Sequence, residues 1–311
     1  MITVGSLYSG VGGIDLGFQK EGFSISWSNE FDKNACITFR KNFKHKLIEK
    51  DIWDIDFRNL SKVDVLTAGF PCQTFSVAGL RKGFKEKRGK HFFRILECID
   101  FLKPSVVFLE NVKNLKNHNS GNTFKTIVEC LKLREYSIHE KIINTKELTG
   151  IPQNRERIYI VCITKSIKKH KKFSFPTKNV KTKKINSLIL KNYDSSLIYN
   201  DSFKYFKTLK KEIKSEKTIY QWRRKYIREN KNNVCPTLTA NMGTGGHNVP
   251  IIKQGSIIRK LSPTECFLFQ GFPKKFKLPN IAKSHLYKQS GNSVSVPVIQ
   301  LLAKEIKKLF L

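Results

Sequence analysis

The first 165 residues alternate short runs of apolar, β-branched residues with longer stretches in which apolar residues recur at helical spacing. The runs that predict strands span residues 2–8, 23–28, 63–70, 105–111 and 157–163. Between them, the stretches 32–43 and 92–102 predict helices. Strands joined by helices of about 10 to 15 residues are typical of crossover units. The pattern therefore predicts an α/β fold with a mostly parallel sheet and helices on both faces.

The composition changes near residue 165. The stretch 164–186 holds nine lysines and no acid, and residues 203–230 interleave basic with aromatic residues. The final stretch returns to apolar residues at helical spacing. We therefore predict a large first domain at 1–175, a smaller basic domain at 176–258, and a segment at 259–311 that returns to the first domain.

The chain carries a strong excess of positive charge, with 58 Lys and Arg against 25 Asp and Glu and a formal net charge of +33. Such an excess favours a polyanionic partner, most simply nucleic acid. The alternative is that an AT-rich genome produced the many lysines without selection for binding. The N-terminus lacks the features of a secretion signal, and no apolar run reaches the ~18 residues needed to cross a bilayer. We therefore expect a cytoplasmic protein with no membrane partner.

Seven cysteines are present, and no C-x-x-C spacing occurs among them. We therefore expect neither a metal site nor a disulfide framework. Cys36, Cys98, Cys130 and Cys162 lie among apolar neighbours, which is typical of small buried hydrophobic residues. Cys72 differs, because it follows Gly-Phe-Pro and precedes a long polar stretch. It is the candidate for chemistry.

A glycine turn, "YSGVGG" at residues 8–13, separates the first strand from the first helix. Glycines permit positive φ and close backbone approach, and a helix N-terminus attracts electron-rich groups. Glu30 closes the second strand, about where an acid takes the ribose hydroxyls of an adenosine-containing cofactor. Asp51, after a short third strand, is placed to hold an adenine amino group. The alternative is a structural turn with two surface acids.

The stretch 73–90 is eighteen residues long and contains three glycines, six basic residues and one acid. Loops of this length without regular structure are usually lids, binding loops or linkers. The stretch predicts a basic lid that closes on a phosphate backbone. A solvated lysine run is the alternative.

Further polar residues follow the later strands. Glu110 and Asn111 end the strand at 105–111, and a carboxyl group in a partly dry cleft has a raised pKa and can donate a proton. Arg155 and Arg157 are two apart, so along an extended backbone they share one face. They are placed either to bind a base carbonyl oxygen or to pair with acids.

The motifs "GFPCQTFS", "ENV", "QNRER", "RKLSPTECFLFQGFP" and "YKQSGNSV" follow the glycine turn in that order. This set resembles the cytosine-C5 DNA methyltransferases of bacterial or phage restriction-modification systems, over residues 1–165 and 259–311. The resemblance implies a Rossmann-like S-adenosylmethionine-dependent methyltransferase fold. It also implies that the basic domain at 176–258 recognises the target sequence.

The family transfers methyl groups from S-adenosylmethionine to carbon 5 of a cytosine flipped out of a short duplex site. By resemblance, Cys72 is the nucleophile that bonds to carbon 6, where it makes carbon 5 reactive. Glu110 hydrogen-bonds or protonates ring nitrogen 3, and Arg157, with Arg155 near it, binds the carbonyl at position 2. The cofactor-binding positions by the same resemblance are Tyr8, Gly10, Gly13, Glu30, Phe31, Asp51, Pro71 and Asn292.

The expected partner is double-stranded DNA, with a cognate restriction endonuclease in the same system but no obligatory complex, and the enzyme is expected to be a monomer. The residues expected to contact DNA are Gln73, Ser76, Arg81 and Arg88 in the lid, and Arg223, Arg224 and Arg228 in the basic domain.

Three positions depart from the commonest family pattern. Tyr8 stands where phenylalanine is frequent, and Phe31 where tryptophan or tyrosine can stack on adenine. His91 stands where an apolar residue usually packs against the cofactor. These departures put cofactor affinity in question and leave the nucleophile, the acid and the arginines unchanged.

Three rival functions fit parts of the sequence. A tRNA cytosine methyltransferase shares the motifs, and the basic recognition region favours DNA over it. An inert DNA-binding protein on the same scaffold would not need Cys72, Glu110 and Arg157. A nicotinamide oxidoreductase explains the glycine turn and Glu30 and leaves Cys72 and the arginine pair without roles.

Overall fold

A computed structural model of the chain describes residues 1–71, 91–177, 180–223, 226–230, 232–244 and 248–311. The chain forms two compact units. The first comprises Met1–Ile143, Glu156–Thr177 and Val298–Leu311, and the second comprises Asn144–Arg155 and Lys178–Pro297. These units differ from the predicted segments, because 144–155 and 259–297 group with the basic region. Hydrogen bonds within the second unit explain the grouping: the side chain of Gln153 donates to the carbonyl oxygen of Phe269 at 2.6 Å.

Within the described residues, the first unit contains one seven-stranded sheet. Its strands are β1 (Thr3–Leu7), β2 (Ser24–Asn29), β3 (Lys46–Ile48), β4 (Val65–Ala68), β5 (Val106–Val112), β6 (Tyr136–Asn144) and β7 (Glu156–Thr164). The spatial order is β3-β2-β1-β4-β5-β7-β6. The strands from β3 to β5 are parallel, and β7 runs antiparallel to β5. The predicted mostly parallel sheet is confirmed.

The helices are α1 (Gly13–Lys20), α2 (Lys33–Asn42), α3 (His91–Leu102), α4 (Asn122–Lys132), α5 (Thr145–Thr149), α6 (Phe206–Glu212), α7 (Pro263–Phe269), α8 (Lys283–Asn292) and α9 (Val296–Lys307). No helix in the described part of the chain is both long and apolar enough to cross a lipid bilayer.

Alternate residues of β5 meet helices on opposite faces of the sheet, as the period of a strand requires. Val107 and Leu109 belong to a core that includes α3 and α4. Phe108 points to the other face, where its ring contacts Phe18 of α1 at a centroid distance of 5.6 Å. The predicted helix layers on both faces are thus confirmed.

Helices α1 and α9 pack closely on that second face. A Cβ atom built on Gly17 of α1 would lie 2.5 Å from the side chain of Ile299 in α9, so only glycine allows this approach. The last residues of the chain therefore complete the core of the first unit.

The second unit contains a four-stranded sheet in the order β11-β10-β8-β9. Its strands are β8 (Tyr220–Arg223), β9 (Tyr226–Glu229), β10 (Ile251–Gln254) and β11 (Ile257–Lys260), and their pairs are antiparallel. Apolar residues of α6, β8, β10 and β11 form one core, and a second surrounds α7 and α8.

A buried ion pair joins the last strand of this unit to α7. Arg259 and Glu265 are both fully buried, with 2.7 Å between a guanidinium nitrogen and a carboxylate oxygen. Glu265 also accepts a hydrogen bond from the backbone N–H of Ser262, and the Ser262 hydroxyl accepts one from the N–H of Glu265. This capping box fixes the start of α7. The ion pair and the capping box therefore give Arg259 and Glu265 of the motif "RKLSPTEC" a structural role.

Candidate active site and cofactor cleft

The parallel strands bring most of the first unit's predicted site residues to one edge of the sheet. The chain passes from β1 outward to β2 and β3 and then returns to β4 on the other side of β1. This reversal creates a crevice at the carboxyl ends of β1 and β4, where ligands bind in open α/β sheets. The glycine turn follows β1, and Glu30 follows β2 directly.

Glu30 organises the glycine turn. Its carboxylate accepts hydrogen bonds from the backbone N–H groups of Gly10 at 2.8 Å, Phe31 at 2.9 Å and Asp32 at 2.8 Å. Burial raises the pKa of Glu30, while these hydrogen bonds oppose the shift. Gly10 has φ of 58°, and a Cβ atom built there would have no atom of another described residue within 4 Å. Gly13 begins α1 and is buried.

Beneath this turn lies a polar group that the sequence analysis missed. Asp15 of α1 is fully buried, and burial raises the pKa of its carboxyl to about 7. The hydroxyl of Ser28 donates to Asp15 at 3.3 Å and lies 2.9 Å from Nε2 of His45. Burial lowers the pKa of His45 to about 4. The group thus joins α1, β2 and the segment before β3, and between about pH 4 and pH 7 it does so with an uncharged carboxyl and a neutral imidazole.

Aromatic rings line the same crevice. The hydroxyl of Tyr8 lies 3.1 Å from Nδ1 of His91, and the two rings meet edge to face. Burial lowers the pKa of His91, so its ring is neutral at physiological pH. Asp51 caps the turn at Trp53, whose ring centroid lies 6.2 Å from that of His91. Trp53 is a further candidate that the sequence analysis missed, and Phe31 beside Glu30 is 65% exposed.

These residues fit an adenosine-containing cofactor. A carboxylate can accept about four hydrogen bonds, and in the described part of the chain Glu30 accepts three. One position on Oε2 is left for a ribose hydroxyl. The exposed ring of Phe31 offers a face on which a base can stack. The space above Gly10 allows a ligand to approach the backbone closely.

Next to this crevice, Glu110 of β5 and Arg157 of β7 form an ion pair. Nε of Arg157 lies 3.3 Å from Oε1 of Glu110, and their side chains are 13% and 11% exposed. The pair forms because β5 and β7 are antiparallel, with Val112 opposite Arg157. The start of β7 therefore lies at the carboxyl end of β5. An acid and a guanidinium with little solvent around them can both bind a polar ring.

The segment that leads to Cys72 passes directly beside this pair. A Cβ atom built on Gly69 would lie 3.8 Å from Oε2 of Glu110 and 3.6 Å from Ile14. The side chain of Asn111 donates to the carbonyl oxygen of Phe70 at 2.9 Å, and both residues are buried. Asn111 therefore holds the backbone just before Pro71, which is exposed.

Arg155 occupies a different environment from Arg157. It precedes β7, is only 2% exposed, and donates from its guanidinium to the carbonyl oxygens of Leu238, Gly291 and Ser293. All of these residues belong to the second unit. Strand β7 begins at Glu156, so the alternation of side chains along that strand includes Arg157 and does not include Arg155.

The remaining predicted residues lie in the second unit or outside the described residues. Asn292 is the exposed last residue of α8. Arg223 and Arg228 are exposed on β8 and β9. The predicted residues that lie outside the described residues are Cys72, Gln73, Ser76, Arg81, Arg88 and Arg224.

A mostly parallel sheet with a crevice at its switch point, and an acid–guanidinium pair beside it, is typical of α/β proteins that bind a nucleotide-like ligand at this edge of the sheet. Structural comparison supports the fold. The fold is similar to the crystal structure of the S. pombe Dnmt2 methyltransferase, with a TM-score of 0.77, 18% identity and 100% of each chain covered.

Sequence comparison then gives the family. Residues 2–308 match the C-5 cytosine-specific DNA methylases. The chain is 53% identical over 316 residues to the Type II methyltransferase M.Bsp6I of Bacillus sp. (strain RFL6), with 100% of both chains covered. It is 37% identical over 304 residues to the Type II methyltransferase M.SsoII of Shigella sonnei, with 96% of this chain and 78% of that one covered. The chain belongs to the C-5 cytosine-specific DNA methylase family, and its methyl donor is S-adenosylmethionine.

Proposed function

We propose that the Glu110–Arg157 pair binds the target cytosine while Cys72 bonds to carbon 6 of the same ring. The observation that carries this proposal is the position of the pair: Gly69, three residues before Cys72, passes beside the Glu110 carboxylate. Asn111 fixes the intervening backbone at Phe70. A nucleophile placed by this segment and a ring held by the pair would meet at the carboxyl end of β4.

The proposed reaction begins with the thiolate of Cys72, which forms a bond to carbon 6. The electron pair of the double bond between carbons 5 and 6 shifts toward nitrogen 3, where Glu110 donates a hydrogen bond or a proton. Arg157 turns from Glu110 to the carbonyl oxygen at position 2, so both groups stabilise charge that develops on the ring. S-Adenosylmethionine supplies the electrophilic methyl group.

Carbon 5 would then form a bond to the methyl carbon as the bond from that carbon to the sulfonium sulfur breaks, and the electron pair would return from nitrogen 3 as its proton goes back to Glu110. A base removes the proton from carbon 5, the double bond re-forms, and the sulfur of Cys72 leaves as a thiolate. The attack on carbon 6 requires access above the ring plane, which stacking in a duplex prevents. The cytosine is therefore flipped out, at a cost of a few kcal/mol.

We assign Arg155 a bracing role instead of contact with the base. Its guanidinium ties the carbonyl oxygens of Leu238, Gly291 and Ser293 together. A guanidinium that is 2% exposed and holds these carbonyls has few donors left for a substrate. Arg157 then carries the contact with the carbonyl at position 2 alone.

The substrate that we propose is a short specific site in duplex DNA, modified by a monomer as one arm of a restriction-modification system. The Type II names of the relatives support this context, and their bacterial hosts support work in the cytoplasm beside the DNA. A cognate endonuclease would recognise the same DNA site without forming a stable complex with the methyltransferase. The remaining roles at the cofactor crevice are those proposed from sequence for Tyr8, Gly10, Gly13, Glu30, Phe31, Asp51, Pro71 and Asn292.

The test is a covalent trap. Duplex DNA with 5-fluorocytosine at the modified position is incubated with enzyme and S-adenosylmethionine, because fluorine blocks removal of the group on carbon 5. The wild-type enzyme and the Cys130→Ser control, changed at a half-buried cysteine of α4, should both give a denaturation-resistant conjugate. Cys72→Ser and Cys72→Ala should give none.

A conjugate from either Cys72 variant, or none from the wild type, would contradict the mechanism. Parallel assays with duplex DNA and tRNA identify the substrate, and methyl transfer to tRNA alone would overturn the choice of DNA.

A further inference from the structure

The hairpin formed by β8 and β9 sorts its side chains onto two faces. Tyr220, Trp222 and Ile227 contact the apolar core of the second unit. Because side chains alternate along a strand, the residues between them lie on the opposite face. The pairing register places Gln221 opposite Arg228 on that outer face.

Arg223 and Tyr226 form the next pair on the outer face. The tyrosine is 60% exposed, and Arg223 is exposed as well. The hairpin therefore presents two arginines, an exposed aromatic ring and one amide on a single surface. Such a surface is suited to the phosphates and base edges of a nucleic acid.

The same face lines a cavity of about 440 Å³. Gln221, Arg223 and Arg228 contribute to its wall, and the described remainder is mostly asparagine and threonine. No acidic residue occurs among the described residues that line it. The positive charge of the two arginines is therefore not neutralised by a carboxylate of the described wall.

One arginine of this face is held in a fixed orientation. Nη2 of Arg228 donates to Oε1 of Gln221 at 2.7 Å. Gln221 is only 8% exposed, whereas Arg228 is exposed. The buried amide thus restrains the guanidinium, and Arg228 is one of the residues that line the cavity. This restraint lowers the entropy lost when the guanidinium binds a partner.

Resting on the proposed DNA substrate, we propose that Gln221 and Arg228 form a unit that reads one guanine in the major groove. The Oε1 atom of Gln221 accepts from Nη2 of Arg228, so the donors that the pair offers to a base are the other N–H groups of the Arg228 guanidinium. Guanine presents two acceptors, O6 and N7, at its major-groove edge. Adenine presents one acceptor and one donor there, so it matches these donors less well.

The hydrogen bond from Arg228 to Gln221 favours a base, and not a phosphate, as the group that Arg228 contacts. A phosphate accepts from a guanidinium in many orientations, so it gains little from a buried amide that restrains the guanidinium. Arg223 lies opposite Tyr226 and has an exposed side chain, which suits a phosphate contact. Gln221 acts as a positioning residue, and Arg228 makes the base contact.

The experiment maps methylated cytosines, by bisulfite sequencing, in DNA from cells that express each full-length variant. The wild-type map defines the recognition site. Arg228→Lys keeps the charge but loses the planar fork, so it should still methylate. It should also accept other bases at one guanine position, with discrimination there reduced by about ten-fold or more.

Gln221→Met removes the amide and keeps the length of the side chain. It should relax the same guanine position as Arg228→Lys, whereas a purely structural residue would lower methylation at all sites alike. Arg58→Lys is the matched control, since Arg58 is an exposed arginine of the first unit that pairs with Asp56. Its map should equal that of the wild type.

The inference is overturned if Arg228→Lys keeps the wild-type site, if the relaxed position is not guanine, or if Gln221→Met relaxes a different position. Failure of the proposed function looks different, because the wild-type enzyme would then methylate no cytosine in DNA. The wild-type map thus tests the proposed function separately from the two variants.

Discussion

Glu110 and Arg157 each provide the counter-charge of the other until a base enters. Their 3.3 Å contact lies in a cleft where both side chains are nearly buried. A charge in such a place needs a partner, because desolvation without one costs several kcal/mol. A bound cytosine would give Arg157 the carbonyl oxygen at position 2 as an acceptor, and Glu110 would take up a proton and donate it to nitrogen 3. Before the base binds, neither of the two nearly buried charges therefore lacks a partner of opposite sign.

We expect Glu110→Gln to lower the rate of methyl transfer by about 10²-fold or more, because the amide cannot donate a proton to nitrogen 3. Single-turnover methyl transfer gives the rate, and equilibrium titration gives cofactor affinity, which should change little. Glu156→Gln is the control, as Glu156 lies next to Arg157 and pairs with the exposed Lys113. An equal loss of rate and cofactor affinity in Glu110→Gln would indicate a structural residue instead.

At the scale of elements, the strands and helices that a local pattern of apolar residues defines are predictable from the sequence. The strands β1, β2, β4, β5 and β7 and the helices α2 and α3 lie within about two residues of the predicted runs. Helix α4 and strand β6 were not predicted, although both lie in the first half of the chain.

Contacts between distant segments were not predictable from the sequence. Arg155 looks like a partner of Arg157 in the motif, and its bonds to Leu238, Gly291 and Ser293 exist only after the second unit folds. The importance of Gln221 depends equally on register, which a single strand does not reveal.

The junction of α1 with β2 makes stability depend on pH through Asp15. Its carboxyl has a pKa of about 7 in the folded chain against 3.8 as its ordinary value. A raised pKa means that stability is fully present below about pH 4 and is lost as pH rises toward 7. The loss is about 1.4 kcal/mol per pH unit within this window. His45 acts in the opposite direction, because its pKa is lowered and its contribution is lost below about pH 6.

Asp15→Asn removes the titrating carboxyl and leaves His45 in place. We expect the thermal midpoint of the variant to rise relative to that of the wild type between pH 5 and pH 8. Thermal unfolding of both proteins in matched buffers measures the difference. A constant difference across this range would show that Asp15 does not titrate there.

At the scale of the whole molecule, the net charge of +33 predicts that binding to DNA weakens with salt. The logarithm of the binding constant should fall with the logarithm of salt concentration by about 0.9 for each phosphate neutralised. We expect a total slope of several units. Arg223→Gln should reduce it by about one unit, while Arg58→Gln, a change at an exposed arginine that is not among the proposed DNA contacts, should leave it unchanged. A flat dependence in the wild type would attribute the charge to genome composition alone.

The position of the hairpin within its sheet has an evolutionary consequence. β9 is an edge strand, bonded to β8 and to no other strand of that sheet within the described residues. Its outward side chains can therefore be substituted without disturbing a further strand beyond it. New target preferences could then arise by exchange of a ten-residue ribbon, 220–229, between related enzymes. The methylating half of the protein would be inherited unchanged.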